Sequence, residues 1–200
     1  MRSLLVLCFL LLLSSCANKY GLIVGAQKEN YQETASAFVF SSAGKVSLPK
    51  YNNSSTGFHF GISEESDYLL SKIYFFSNSY GDKDYVSGAT TYKTSLSESG
   101  IAATIGLKLW WFQPFLGFKS YESEYVIDGA STKDNYSALY YGIDMEVPLS
   151  NDWFLYLGYG ANEKVSIGTI GAAVVTQTRA HSDLKIGLRW NFVSFGGSPK

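Results

Sequence analysis

The side chains suited to chemistry are few: two histidines, His59 and His181, and two cysteines, Cys8 and Cys16. His181 stands in the run His181-Ser182-Asp183. An imidazole can activate a hydroxyl nucleophile that lies within hydrogen-bond reach. Neighbours on an extended strand, however, point to opposite faces, which keeps His181 and Ser182 from forming that pair. His59 alternates with Gly57 and Gly61 and shares their face. Asp82-Lys83-Asp84 could touch a cation, but reads more simply as a solvated loop. No His/Cys cluster has the spacing of a transition-metal site. The expectation is therefore no catalytic residue, no metal and no cofactor. What remains is electrostatic: single charges at Lys108, Lys119, Asp144, Glu146, Lys185 and Arg189, set among glycines and apolar residues.

Those charges act together only if the chain holds them on one side of a common surface. The last strand-like stretch, residues 184–192, does this. Leu184, Ile186, Leu188, Trp190 and Phe192 alternate with Lys185, Gly187, Arg189 and Asn191. On a strand one face is then wholly apolar, and the other carries two cations and a glycine. The pattern recurs over 56–62, 100–111, 136–147 and 153–162, and less cleanly over 68–78 and 115–126, where Lys72 shares a face with Tyr74 and Phe76. With 183–192 this makes seven strands. No segment beyond the N-terminal one keeps a 3.6-residue apolar period. Single-chain membrane barrels use even strand numbers, so an eighth is expected near the start. The candidates are 20–27, which is preferred, and 34–41. Residues 28–55 would then form a long first loop.

The polar faces separate a soluble barrel from a membrane one. Facing water they would be crowded with Lys, Glu and Thr. Here they carry glycine, small residues and single charges, which suits a cramped lumen with the apolar faces turned to lipid. In lipid every backbone polar group must be paired, so such a sheet has to close. Short turns are expected at 63–67, 113–114 and 148–152, and long polar connections at 79–99, 122–135 and 162–182. Only 16% of residues are charged and the net charge is −1, so no basic patch exists for nucleic acid. Trp110, Trp111, Trp153 and Trp190 all fall near short turns or the end of the last strand, as a girdle at one membrane boundary. Tyr80, Tyr85, Tyr121, Tyr125 and Tyr136 fall where strands enter the long connections and are expected at the other boundary. The inward charges have two readings, a narrow permeation path or a paired network that plugs the barrel. Eight strands leave space only for side chains, which favours the plug.

The N-terminal segment reads as a signal. Arg2 precedes an apolar run over residues 4–13, too short for a membrane helix and long enough for a signal-peptide core. Leu13-Ser14-Ser15-Cys16 resembles the bacterial lipobox, which makes Cys16 the lipidation candidate; cleavage after a small-residue site at 15–17 is the other option. The domain plan is a signal over 1–16, a barrel over 17–192 and a short periplasmic tail over 193–200.

The alternating strands, the Gln113-Pro114-Phe115-Leu116-Gly117 start and the terminal strand together resemble the small eight-stranded outer-membrane β-barrel family, of the outer-membrane protein A and X type. The resemblance implies an all-β, eight-stranded, antiparallel up-and-down transmembrane barrel in the bacterial outer membrane. It also implies that Leu184, Ile186, Leu188, Trp190 and Phe192 are the C-terminal signal read by the barrel-assembly machinery. The tail beyond Phe192 departs from family members, which usually end on that aromatic. The implied role is non-enzymatic: membrane integrity, or surface interaction with an extracellular ligand through the loops, with a minor porin-like pore as an addition. Outer-membrane lipid is the expected partner and a monomer the expected state. Two rivals stand beside it. One is a lipid-anchored, lipocalin-like soluble barrel, whose early Gly-x-Trp motif is missing. The other is a lipid A-modifying enzyme, whose His-x-Ser spacing is missing.

Overall fold

The computed structural model describes residues 19–33, 38–41, 44–47, 52–87, 90–127, 129–163, 165–167 and 177–194. Cys8, Cys16, the signal segment and the tail beyond Ser194 lie outside them. The described residues form twelve strands and no helix. These are β1 (Lys19–Glu33), β2 (Phe38–Ser41), β3 (Gly44–Ser47), β4 (Asn52–Ser54), β5 (Thr56–Glu65), β6 (Leu69–Ser87), β7 (Thr90–Leu107), β8 (Phe112–Ile127), β9 (Ala130–Pro148), β10 (Trp153–Asn162), β11 (Val165–Ile167) and β12 (Gln177–Ser194).

Eight of them are the staves of a closed barrel. The pairing runs β12-β10-β9-β8-β7-β6-β5-β1, and β1 pairs with β12 to close the ring. Closure leaves the staves without an unpaired edge. β4 extends the β5 side of β1, and β11 extends the β10 side of β12. β2 and β3 make a separate two-stranded ribbon. Of the two candidates for the missing stave, 20–27 is the one in the barrel. It lies inside β1, which is longer than its apolar alternation alone indicates. In the other, 34–41, the described residues are those of β2, which is not a stave.

The period-two pattern becomes an inside and an outside. On β12, Leu184 and Ile186 are half or more exposed and Phe192 nearly half, while Lys185, Arg189 and Asn191 are buried. On β5, Phe58, Phe60 and Ile62 face out, while His59, Ser63 and Glu65 face in. An apolar exterior around a polar interior is the inverse of a water-soluble barrel. From residue 184 to residue 192 the band spans roughly 20 Å along the barrel axis at ~3.3 Å per residue and about 40° of tilt, close to a bilayer's apolar depth. Among the described residues no helix is long and apolar enough to cross a membrane; the crossing elements are strands.

Two expectations about the connections are corrected. The stretches 79–99 and 122–135 are not loops: β6 and β7 continue as a ribbon to Ser87 and Thr90, and β8 and β9 to Ile127 and Ala130. The backbone ladder does not depend on lipid, so pairing persists after the apolar alternation stops, across an irregularity between Ser79 and Asp82 at which Gly81 has φ 72°. The second concerns the turn at 113–114. Strand β7 ends at Leu107, Leu109 bridges Phe112, and Trp110 and Trp111 form the turn, with Trp110 at φ 64°. Gln113 and Pro114 belong to β8. Both fall in the interval between the Leu109–Phe112 bridge and the Gly106–Phe115 pair, where a missing proline N–H breaks no ladder bond with β7.

Candidate functional site in the barrel lumen

The inward residues of the staves meet along the axis as a stack of buried polar and aromatic groups. At the short-turn end Arg189 holds the layer together. Its Nη1 lies 2.6 Å from Glu65 Oε2 and its Nη2 2.6 Å from Glu146 Oε2. Its Nε donates to Glu146 Oε2 at 3.1 Å, and the guanidinium lies 4.2 Å from the centre of the Phe154 ring. Asn191 Oδ1 accepts from Nη1 at 2.6 Å. Lys72 bridges Asp144 at 3.0 Å and Glu146 at 3.1 Å. Lys108, nearer the rim, reaches Glu65 at 2.5 Å.

Halfway along, Lys185 lies 3.5 Å from Asp144 Oδ1 and sits over the Phe115 and Tyr140 rings. His59 hydrogen-bonds the Tyr156 hydroxyl. Glycine makes the room for these rings. A Cβ at Gly160 would fall 2.2–2.5 Å from atoms of Tyr140, whose hydroxyl is tied to Asp183 at 2.8 Å. At this height the Tyr140 ring fits inside because the neighbouring stave carries no side chain at Gly160.

The next layer centres on Lys119, which is fully buried. It lies 2.6 Å from Asp183, 3.4 Å from Glu29 and 4.6–4.7 Å from the centres of the Tyr140 and Phe76 rings. Glu29 also accepts from Tyr121 at 3.2 Å and from Asn78 Nδ2. Above this, toward the ribbons, Glu98 accepts from Tyr136 at 2.6 Å and from Tyr80 at 2.9 Å, and His181 approaches both Glu29 and Glu98.

Of the lumen charges expected from the sequence, Lys119, Asp144, Glu146, Lys185 and Arg189 are buried in this stack, and Lys108 stands at its short-turn rim. Sequence reasoning missed Glu29, Glu65, Lys72, Glu98 and Asp183. The signal was parity. Glu29 continues the inward series Gly21, Ile23, Gly25, Gln27, and Glu65 continues His59, Gly61, Ser63. Glu98 lies two residues before Gly100 and four before Ala102. Glu29, Glu65 and Glu98 were lost where strands were ended too early, whereas Asp183, the first residue of the expected last strand, shares the parity of Lys185 and was passed over. Lys72, which shares a face with Tyr74 and Phe76, looked like a defect. It is regular, because in this barrel aromatics line the lumen as well as the belt.

The aromatic boundary needs the same correction. Tyr80, Tyr121 and Tyr136 are buried inside, with Tyr121 and Tyr136 stacked 4.7 Å apart. The Tyr85 and Tyr125 side chains lie outside the described ones. A hydroxyl tyrosine inside a polar lumen finds acidic partners that a boundary tyrosine does not need. The four tryptophans stand at the short-turn end: Trp110 and Trp111 in the β7–β8 turn, and Trp153 opposite Trp190, their rings 5.7 Å apart and 15° from parallel. His181 points inward, and Ser182 turns to the other face and pairs across to Ala161.

No protein-family model and no curated protein matches the sequence. Solved structures do match. The crystal structure of Ail, the attachment invasion locus protein of Yersinia pestis, superposes with a TM-score of 0.54 at 10% identity, covering 88% of this chain and 99% of that one. The same protein in complex with the heparin analogue sucrose octasulfate gives the same values. Neisserial surface protein A covers 86% of this chain and 97% of its own at 15% identity, with a TM-score of 0.49. At such identities the likeness is one of fold, and the fold is that of small bacterial outer-membrane β-barrels.

Proposed function

We propose that this closed transmembrane barrel is a non-enzymatic bacterial outer-membrane protein with a structural or surface-interaction role, and that its lumen does not conduct. The observation that carries the reading is the continuity of the ion-paired stack. Arg189, Lys72, Lys185 and Lys119 each meet at least one carboxylate within 3.5 Å, and each is nearly or fully buried. Moving an ion through would require breaking buried pairs, at several kcal/mol each. A structural plug explains the charge placement without a permeating solute. In this reading the short-turn end, with both barrel termini and the tryptophans, faces the periplasm, and the ribbons face outward. Outer-membrane lipid and the barrel-assembly machinery are the partners, an extracellular ligand would bind the ribbons, and the barrel works as a monomer.

The test is single-channel recording after reconstitution into planar bilayers. The expected result is no steady conductance at 1 M salt. Stable openings that follow Lys72 or Arg189 substitutions would instead establish a small pore. For the enzyme rival, lipid A mass spectra with and without the protein decide, and identical profiles are expected. For the anchored soluble barrel, a Cys16→Ala chain recovered in the soluble periplasmic fraction would overturn the membrane reading.

A further inference from the structure

The top of the lumen holds three potential ligands on three staves, one of which, Glu29, is also paired with Lys119. His181 is 3% exposed, and Glu29 and Glu98 are 0% and 1% exposed. His181 Nδ1 lies 3.3 Å from Glu29 Oε1 and 3.5 Å from Glu98 Oε2, and one ligand atom from each of the three residues falls within 4.8 Å of the others. Glu29 comes from β1, Glu98 from β7 and His181 from β12, so the barrel closure assembles the group.

The hydrogen bonding sets the histidine tautomer. Tyr136 donates its single hydroxyl proton to Glu98 Oε1 at 2.6 Å, leaving its oxygen to accept. The contact of 3.0 Å between that oxygen and His181 Nε2 is then an Nε2–H donation. In the neutral ring Nδ1 is therefore a bare lone pair. It is buried, has no hydrogen-bond partner, and faces two carboxylate oxygens. Three electron-rich atoms pointing at one another repel unless a positive centre lies between them. A proton on Nδ1 would draw one oxygen in to about 2.7–3.0 Å; the two distances are longer than that and nearly equal. A tetrahedral cation with ligands at about 2.0–2.1 Å has ligand–ligand edges of roughly 3.3–3.4 Å, whereas an octahedral one has edges nearer 2.9 Å. The two distances from Nδ1 to the carboxylate oxygens, 3.3 and 3.5 Å, lie nearer the tetrahedral edge than the octahedral one.

We propose that Glu29, Glu98 and His181 form a binding site for a divalent transition-metal ion of the zinc class. Imidazole nitrogen with two carboxylates is a donor set suited to such an ion. The supporting contacts have the form usual around metal-bound histidine. The non-ligating Nε2–H is fixed by Tyr136, and the ring is stacked on Tyr121 at 5.0 Å and met edge-on by Tyr31 at 5.0 Å. Glu29 is held in turn by Lys119 and Tyr121. The ion would join three staves at the end of the barrel where the ribbons leave it.

The barrel is refolded from urea into detergent micelles with Zn²⁺ present, passed through a desalting column and analysed for metal per folded chain. One equivalent is expected for the unaltered chain. In His181→Ala and Glu98→Gln, affinity should fall by roughly 100-fold or more, leaving less than a tenth of an equivalent. Heat-modifiable gel mobility reports folding of each variant. If His181→Ala does not fold, Glu98→Gln, which is isosteric, carries the comparison. With Co²⁺ in place of Zn²⁺ the intense visible absorption of a tetrahedral site is expected. A folded, unaltered chain that retains no metal overturns the site, and so does retention that is equal in the variants.

Discussion

Arg189 is the residue on which the short-turn layer depends. It joins Glu65 on β5 to Glu146 on β9 from its place on β12, so one guanidinium links three staves that are far apart in sequence. Its planar fork serves two carboxylates at once, which a lysine does not do. Replacing it by methionine keeps most of the volume and leaves two buried carboxylates short of a cation. We expect Arg189→Met to destabilise the barrel by about 3–5 kcal/mol in urea unfolding followed by tryptophan fluorescence. The exposed pair Lys133–Glu122, at 2.9 Å on the outer ribbon, is the control. Lys133→Ala should leave the unfolding midpoint unchanged, because water screens the pair. At Gly160 the predicted effect is steric. Gly160→Val places methyl groups where the Tyr140 ring lies, and Tyr140 cannot withdraw without losing Asp183. A loss of about 1–3 kcal/mol is expected in the same assay.

Element β12 carries the apolar alternation most fully, and it pairs with both β1 and β10. Ile186, half exposed, lies in the middle of its outward face. Ile186→Arg should cost about 2–4 kcal/mol when the barrel is folded into lipid vesicles, the depth-dependent penalty of a charge in the bilayer. A neutral outcome would place this face in water. The sequence places the end of the assembly strand at Phe192 and predicts that Phe192→Ala impairs assembly more than deletion of 193–200. The ladder now runs two residues further, with Tyr20 opposite Val193 and Lys19 opposite Ser194. The sharper form is therefore that Phe192→Ala lowers the folded fraction, while deletion of 195–200 leaves it unchanged on a heat-modifiability gel. The outer ribbons are separable elements. Removing residues 83–93 and joining the ends with a short turn should leave the barrel folded, because the buried Thr94 and, beneath it, Tyr80, Leu96 and Glu98 are kept.

At the scale of the whole molecule, the closed ladder and the buried charges support each other. Closure removes water from the lumen and so makes each unpaired charge costly, while the paired charges on different staves hold the ring in one register. A shift of one stave by a single residue would turn its charges into lipid and its leucines into the lumen. Unfolding is accordingly expected to be a single cooperative transition by both gel mobility and fluorescence, with no state that has lost the lumen network and kept the barrel. The β2–β3 ribbon, a separate two-stranded sheet, lies outside this unit.

The sequence by itself determined which faces are apolar, that the strands are antiparallel neighbours around a ring, and that a cation at 185 or 189 shares a side with Gly187. These follow from period-two alternation, a local property that a strand cannot disguise. It also favoured the right one of two candidates for the eighth stave, since residues 20–27 alternate and 34–41 contain only a short apolar run. Strand ends were not legible, because the ladder continues through polar residues once pairing has begun. Nor were the partners in the lumen. That Glu29 meets Lys119 and His181, or that Glu65 meets Arg189, depends on register between staves up to 152 positions apart in the case of Glu29 and His181. Alternation fixes the side on which a residue lies and nothing about its height or its opposite number. Only closure of the barrel sets those, because it alone fixes the stagger of every stave against the next.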